Sequence, residues 1–302
     1  MQTQSFKKYI ALPFLVSIHL LMLAFFCPYA MAKGGQKTLP VDETGGFPPL
    51  EAGYISETEY KDDTIQVSFE YGRAEETDWT AVYVTVAHPS QVRTAMAGRF
   101  GSAKQIRSTD LAQRVNAVLA INGDFFDFHR FGYTVRQGKP YRNKADGLHD
   151  VLIMDEKGDM HILNAPTQED MASFEASFPG QIINSFSFGP GLVIDSQPIT
   201  AFEDQNNAAF KRAQRICLAQ TGPLSYLIVY TEGPSDDNSK GMTLPQFAQL
   251  VVSFPGVQNA YNLDGGSSAT IVFRGEKTNG PKSQKSRTIS DIIYFASASS
   301  QE

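Results

Sequence analysis

Two apolar runs in this chain end in the same way, and that recurrence constrains the fold more than any other feature. Ala117-Val118-Leu119-Ala120-Ile121 leads into Asn122-Gly123-Asp124, and Asn259-Ala260-Tyr261 leads into Asn262-Leu263-Asp264-Gly265-Gly266-Ser267-Ser268. The first run is continuously apolar, as expected of a strand buried on both faces. The second, with Ala269-Thr270-Ile271-Val272-Phe273 after it, reads as strand, tight turn, strand, with a carboxylate where the first strand stops. Glycine pairs admit backbone angles closed to other residues, and successive amides in such a turn can form a concavity for an anion. Taken alone, the same residues also describe a hairpin whose aspartate caps its own turn.

At 302 residues, the chain is long enough for one large domain or two small ones. A hydrophobic content of 42% with 19% charged residues is that of a globular protein rather than a disordered one. Residues 1–32 are set apart: Lys7 and Lys8 precede an apolar run from Ile10 to Phe26, and Ala30-Met31-Ala32 forms a small-x-small cleavage pattern. This is the layout of a secretory signal peptide, with an uncleaved membrane anchor as the alternative. The expected location is therefore secreted or cell envelope, and membrane association is expected only if the segment is retained. Cleavage after Ala32 removes Lys7 and Lys8 and takes the formal net charge from −6 to −8. An acidic protein has no overall attraction for nucleic acid, so none is expected as a partner. Cys217 would then be the remaining cysteine, which excludes an internal disulfide.

Residues 33–53, rich in Gly, Pro and Lys, read as a flexible tether. Ile65, Val67, Phe69 and Tyr71 alternate with polar neighbours, and Val82, Val84 and Val86 repeat the pattern, which makes 54–90 an N-terminal β addition to a main domain at 91–302. Ser108-Thr109-Asp110 is expected to cap a short helix running to Arg114. Val151 to Met154 and Met160 to Leu163 read as a hairpin. Thr167 with Asp170 resembles a capping box before a helix carrying Met171, Phe174 and Phe178. Strands follow at Ile182 to Phe188, Leu192 to Ile194, Arg215 to Ala219 and Tyr226 to Tyr230. Leu244, Phe247, Val251 and Phe254 then mark one face of a helix that tolerates Pro245 in its first turn. A basic stretch from Lys277 to Arg287 precedes a last strand at Ile289 to Phe295. Many strands with a few helices indicate an α+β fold, a mixed β-sheet core with a few packed helices in a single main domain.

For chemistry, the histidines His19, His88, His129, His149 and His161 show no close pair at metal-ligand spacing, and no metal or other cofactor is expected. Asp236, Asp237 and Asn238 lack the loop pattern of a calcium site. Ser267 and Ser268 follow Gly266, but not in the nucleophile-elbow pattern of serine hydrolases. Carboxylates and arginines remain. Asp124 and Asp264 both lie just past strand ends, at the rim where ligands bind. Arg215 and Arg287 each precede or open an apolar strand and can clamp a phosphate bidentately.

These motifs in this order resemble the phosphodiester glycosidase family. The similarity runs from Ala117 to Phe295 through Ala120 to Phe126, Arg215, Ser239-Lys240-Gly241-Met242-Thr243-Leu244 and Asn262 to Thr270, and on to Asn279, Pro281 and Arg287. The resemblance implies hydrolysis of a sugar-1-phosphodiester at the anomeric C–O bond. It implies Asp264 as base or nucleophile, with Asp124 and Asn122 orienting sugar hydroxyls or water. Arg215 and Arg287 would hold the phosphate, helped by amides at Gly265 and Gly266, with Ser267, Ser268 and Asn279 also at the substrate. The partner would be a sugar-1-phosphodiester or an anionic glycan of the cell surface or exopolysaccharide. A non-catalytic binder of anionic glycan and a metal-dependent phosphodiesterase are the alternatives.

Overall fold

The computed structural model describes residues 38–202, 208–234, 238–280 and 287–300; the expected signal peptide, Asp236, Asp237 and Pro281 lie outside them. The alternating segments form a long hairpin, Ile65–Ala74 against Thr77–Val86, in unbroken register from Ile65 opposite Val86 to Ala74 opposite Thr77. Its two-residue turn places Glu75 and Glu76 at φ 50° and 59°, the mirror-image turn whose twist matches that of the strands.

This hairpin is part of a larger sheet. Thr77–Val86 pairs with Ser225–Thr231, and the antiparallel order continues through Arg215–Gly222, Asn259–Asn262, Gly191–Ile194 and Gln197–Pro198. With Tyr54–Ser56 and Glu59–Lys61 at the opposite edge, the sheet has nine strands. A second sheet of five strands runs Glu276–Lys277, Ile271–Phe273, Ala117–Asn122, Asp291–Ala296, Val92–Met96. Smaller units complete the fold: a hairpin of Gly132–Arg136 with Lys139–Lys144, and a three-stranded sheet of Met160–Leu163, Val151–Asp155 and Ile182–Phe186.

The two large sheets face each other. Val67, Val84, Leu218 and Ile228 from one and Leu119, Ile121, Ile293 and Phe295 from the other share one core. The outer face of the nine-stranded sheet packs Cys217 and Val229 against Phe247 and Val251 of the helix Leu244–Val252. The outer face of the five-stranded sheet packs Ala120 and Tyr294 against Leu111 and Ala112 of the helix Ser108–Arg114. Ala117–Asn122 is thus covered on both faces, as its unbroken apolar run requires, although its neighbours are antiparallel. The fold is α+β and mainly β. Thr167 and Thr243 cap their helices through reciprocal boxes with Asp170 and Gln246. Ser108 is the first helical residue rather than the cap, which falls at Arg107.

Asn259–Asn262 and Ile271–Phe273 do not pair with each other. The first belongs to the nine-stranded sheet and the second to the five-stranded one, where Ile271 lies opposite Ile121. The turn carrying Asp264 is therefore a crossover between sheets and not the tip of a hairpin. This crossover brings Asp264 to the end of the strand that leads into Asp124.

The tether reading fails for residues 38–53, which pack onto the domain. Arg93, fully buried, donates from Nη1 to the carbonyls of Pro40 (2.8 Å) and Ser90 (3.1 Å), and from Nη2 to those of Asp42 (3.1 Å) and Thr44 (2.7 Å). Its Nε donates to the Tyr294 hydroxyl at 2.9 Å. The Gly46 amide donates to the Val115 carbonyl at 3.0 Å, and Phe47 bridges to Ser297. A guanidinium with no route to water must satisfy its donors locally, and the carbonyls of this segment do so. Arg93→Ala is expected to lower unfolding free energy by about 3 kcal/mol. Amide hydrogen exchange should show residues 38–47 losing protection first; unchanged exchange there would contradict the clamp.

Candidate functional site

Asn122, the last residue of Ala117–Asn122, ties down the crossover from below. Its side-chain Nδ2 donates to the Asp264 carbonyl at 2.7 Å, and its Oδ1 accepts from the Thr270 amide at 3.0 Å. One carboxamide thus fixes both ends of the Asp264–Thr270 turn. The turn then closes on Gln214: the Gly266 amide donates to the Gln214 carbonyl at 3.0 Å. A Cβ on Gly265 would sit 2.7 Å from that same oxygen, so the approach requires glycine.

Two residues beyond Asn122, Asp124 enters a buried charge cluster. Its Oδ1 accepts from Arg136 Nη2 at 2.7 Å and its Oδ2 from the Ser187 amide at 2.8 Å. The same Nη2 donates to Asp291 Oδ2 at 2.8 Å. All three side chains are essentially inaccessible, and Arg136 also donates to the Ser185 carbonyl and lies 4.5 Å from the Phe186 ring centroid. A Cβ on Gly123 would collide with the Asp291 carboxylate, so glycine is what lets the acid reach this position. Burial alone would lower the Arg136 pKa, but the two carboxylates more than offset it and hold it raised. Burial also pushes Asp291 up to about 7 against the pull of Arg136, with Asp124 adding repulsion. These two upward shifts act in opposite senses on the ion pair. One guanidinium keeps its own proton firmly but does not fully compensate a second buried anion, so Asp291 takes up a proton more readily than an ordinary aspartate.

Asp264 differs from Asp124 in its surroundings. Burial lifts its carboxyl from the ordinary 3.8 to about 6, the Ser268 hydroxyl and Arg287 pull it down, and Asp124 pushes it up. The Ser268 hydroxyl lies close enough to favour the anion but makes no well-aligned hydrogen bond. Arg287 is exposed, and its guanidinium lies 5.2 Å from the Phe125 ring centroid. Asp264, Asp124 and Arg287 thus fall within one electrostatic neighbourhood, with Asn122 beneath it.

The remaining residues singled out from the sequence have other surroundings. Arg215 donates from Nε to the Met242 carbonyl (3.1 Å) and from Nη2 to those of Ala208 (3.0 Å) and Lys211 (2.8 Å); burial lowers it to about 10. Those contacts hold loop backbone. Asn279 clamps the start of Ile271–Phe273, accepting from the Ile271 amide at 2.6 Å and donating to the Ala269 carbonyl at 3.0 Å. The anion cradle expected of the Gly265 and Gly266 amides is not formed by the pair: the Gly266 amide donates to the Gln214 carbonyl, and the Gly265 amide acts on the Asp264 carboxylate, favouring its charged form. Ser267 is exposed and Ser268 buried. Arg136, Asp291 and Ser187 were not singled out from the sequence. A lone charge at the head of the otherwise apolar Asp291–Ala296, and another closing the fully buried Gly132–Arg136, were the available signals. His129 is a further addition. Its buried Nε2 has no hydrogen-bond partner, burial lowers its pKa, and the Asp124 field opposes that shift. Among the described residues, no group of three or more His, Cys, Asp or Glu is placed to hold a metal ion.

A half-buried carboxyl, a locked carboxylate and an exposed guanidinium at the junction of two sheets suit hydrolysis of an anionic substrate. The family model for phosphodiester glycosidase matches residues 115–296, more than half of the 302 residues. The chain belongs to the phosphodiester glycosidase family. The SPbeta prophage-derived uncharacterized protein YomE of Bacillus subtilis (strain 168) is 25% identical over 245 residues, 79% of this chain; the match spans only 34% of that relative's length. The catalytic domain of zebrafish N-acetylglucosamine-1-phosphodiester alpha-N-acetylglucosaminidase, auto-inhibited by its pro-peptide, shares the fold. Its TM-score is 0.61 at 18% identity, covering 84% of this chain and 88% of that one. A hypothetical protein from Synechocystis is similar with a TM-score of 0.54 at 15% identity, covering 80% of this chain and 64% of that one.

The raised Asp264 pKa has a stability consequence. Because the folded pKa lies above the unfolded one, the protonated group contributes fully below pH 3.8, and that contribution is lost as pH rises through about 6. Asp264→Asn removes the loss, so relative to wild type it should gain on the order of 3 kcal/mol between pH 4 and pH 8. Denaturant melts at the two pH values measure this, and a gap that does not widen with pH would contradict the assigned environment.

Proposed function

We propose that this protein hydrolyses the anomeric C–O bond of a sugar-1-phosphodiester, releasing a free sugar and a phosphomonoester. The observation that carries the reading is the contrast between its two carboxyl groups. Asp264 is poised near neutral pH beside an open cation, while both Asp124 oxygens are engaged. Environments that separate two carboxyls divide their roles. Asp264, ionised at pH 7, takes a proton from the attacking water. The water oxygen bonds to the anomeric carbon as the C–O bond breaks, and its electron pair leaves with the phosphate. A phosphomonoester is a good leaving group, so little general-acid help is needed. Arg287 neutralises the phosphate and stabilises the charge that grows on the departing oxygen. Asp124, buried, acts through its field on Asp264, and Asn122 positions Asp264 by holding its backbone.

The substrate is proposed to be a glycan of the cell surface or an extracellular polysaccharide. The signal-like residues 1–32 support an extracytoplasmic location. The zebrafish relative's name specifies an N-acetylglucosamine-1-phosphodiester, which supports the same bond class here. Sugar-1-phosphodiesters assayed for released reducing sugar test the reading directly, and binding without release would favour a glycan-binding module. kcat/KM is expected to rise with pH and level off above a bend at about 6. Asp264→Asn should lose at least about a hundredfold in kcat, in the range for removal of a general base. A flat profile, or an active Asp264→Asn, would contradict the assignment.

A further inference from the structure

Immediately after Asp124 the chain makes a conformation that few side chains adopt. Phe125 has φ 61° and ψ 33°, and it leads into the short 3-10 turn Phe126–Phe128. A bulky residue in the left-handed region costs free energy and persists only where surrounding structure enforces it, often at a functional site. Here it turns the Phe125 ring onto Phe128, with centroids 3.8 Å apart and planes within 7°. The pair is not core: Phe128 is 55% exposed. Stacked on a strained residue directly after Asp124, this exposed ring offers a flat apolar face at the edge of the site.

Its position says which ligand. Arg287, which acts on the Asp264 carboxyl, has its guanidinium over the Phe125 ring at 5.2 Å. The His129 ring stands nearly perpendicular to the same ring, with centroids 6.1 Å apart, and backs it from the protein side. A flat apolar surface with a cation beside it matches a molecule with one apolar face and an anionic substituent. A phosphorylated pyranose is such a molecule: its C–H face covers an aromatic ring while its hydroxyls and phosphate stay polar.

We propose that the stacked Phe125–Phe128 pair is the seat of a pyranose ring of the substrate, with Phe128 presenting the contact face. This rests on the phosphodiester-glycosidase reading of the cleft. The ring belongs either to the sugar being released or to the alcohol that carries the phosphate, and two substrates separate these sources. A sugar 1-(methyl phosphate) has a ring only on the released side, whereas a sugar-1-phosphate ester of a hexose 6-hydroxyl has one on each side.

Phe128→Ala is expected to lower kcat/KM about tenfold, within the usual worth of one aromatic stacking partner. Loss on both substrates assigns the seat to the released sugar, and loss confined to the second assigns it to the alcohol. Phe128→Trp should retain activity on whichever substrate is affected. Wild-type rates in Phe128→Ala on both substrates, or equal losses in Phe128→Ala and Phe128→Trp, would overturn the proposal. Calorimetric binding of hexose 6-phosphate provides an arm independent of turnover. If the wild type hydrolyses nothing, the functional reading fails. The seat then stands only if hexose 6-phosphate binds and Phe128→Ala weakens it about tenfold, and it falls if the two proteins bind alike.

Discussion

One guanidinium joins the parts of this molecule that its chemistry requires. Arg136 reaches from the Gly132–Arg136 hairpin to carboxylates that follow one strand of the five-stranded sheet and open another, Asp124 and Asp291. Breaking a buried charge cluster of this kind typically costs several kcal/mol, because the remaining members are left without compensation. Its value to the site is geometric. With both oxygens of Asp124 engaged, the acid cannot rotate, and the field it exerts on Asp264 is fixed in direction as well as magnitude.

The crossover turn depends on that anchoring. It leaves the nine-stranded sheet at Asn262 and joins the five-stranded one at Ile271, so its shape is set by how the two sheets face each other. Asn122 and Gln214, one from each side, supply the bonds that hold it. Asp264 is thereby placed where neighbouring backbone and apolar side chains exclude much of the water. The resulting pKa of about 6 follows from location and not from any unusual residue. The molecule accepts an unfavourably placed acid at neutral pH, as sites that trade stability for activity do.

Much of this was legible in the sequence. Period-two alternation located Ile65–Ala74 and Thr77–Val86, and the unbroken apolar run at Ala117 located a strand of the site that is covered on both faces. The ordered motifs gave the family, now shown by its match to residues 115–296. What escaped were long-range relations. The residues around Asp264 have the same local pattern whether their strands pair or belong to different sheets, so strand, tight turn, strand describes a hairpin and a crossover equally well. The Gly- and Pro-rich segment at 38–53 carries no periodicity, and its order comes from Arg93, a side chain roughly fifty positions away in sequence. Lys139–Lys144, mostly exposed and strongly polar, gave no strand signal, which hid its partner strand and Arg136 with it. Arg215 illustrates the reverse: residue type and strand position suggested a phosphate clamp, while three of its bonds hold loop carbonyls.

The central claim concerns which bond breaks, and an isotope reads that most directly. Hydrolysis of a sugar-1-phosphodiester in water enriched in heavy oxygen, followed by mass spectrometry of the phosphomonoester, distinguishes attack at carbon from attack at phosphorus. Attack at the anomeric carbon, with Asp264 taking the proton, predicts a phosphomonoester carrying no label. Heavy oxygen in the phosphate would place the reaction at phosphorus and contradict the account.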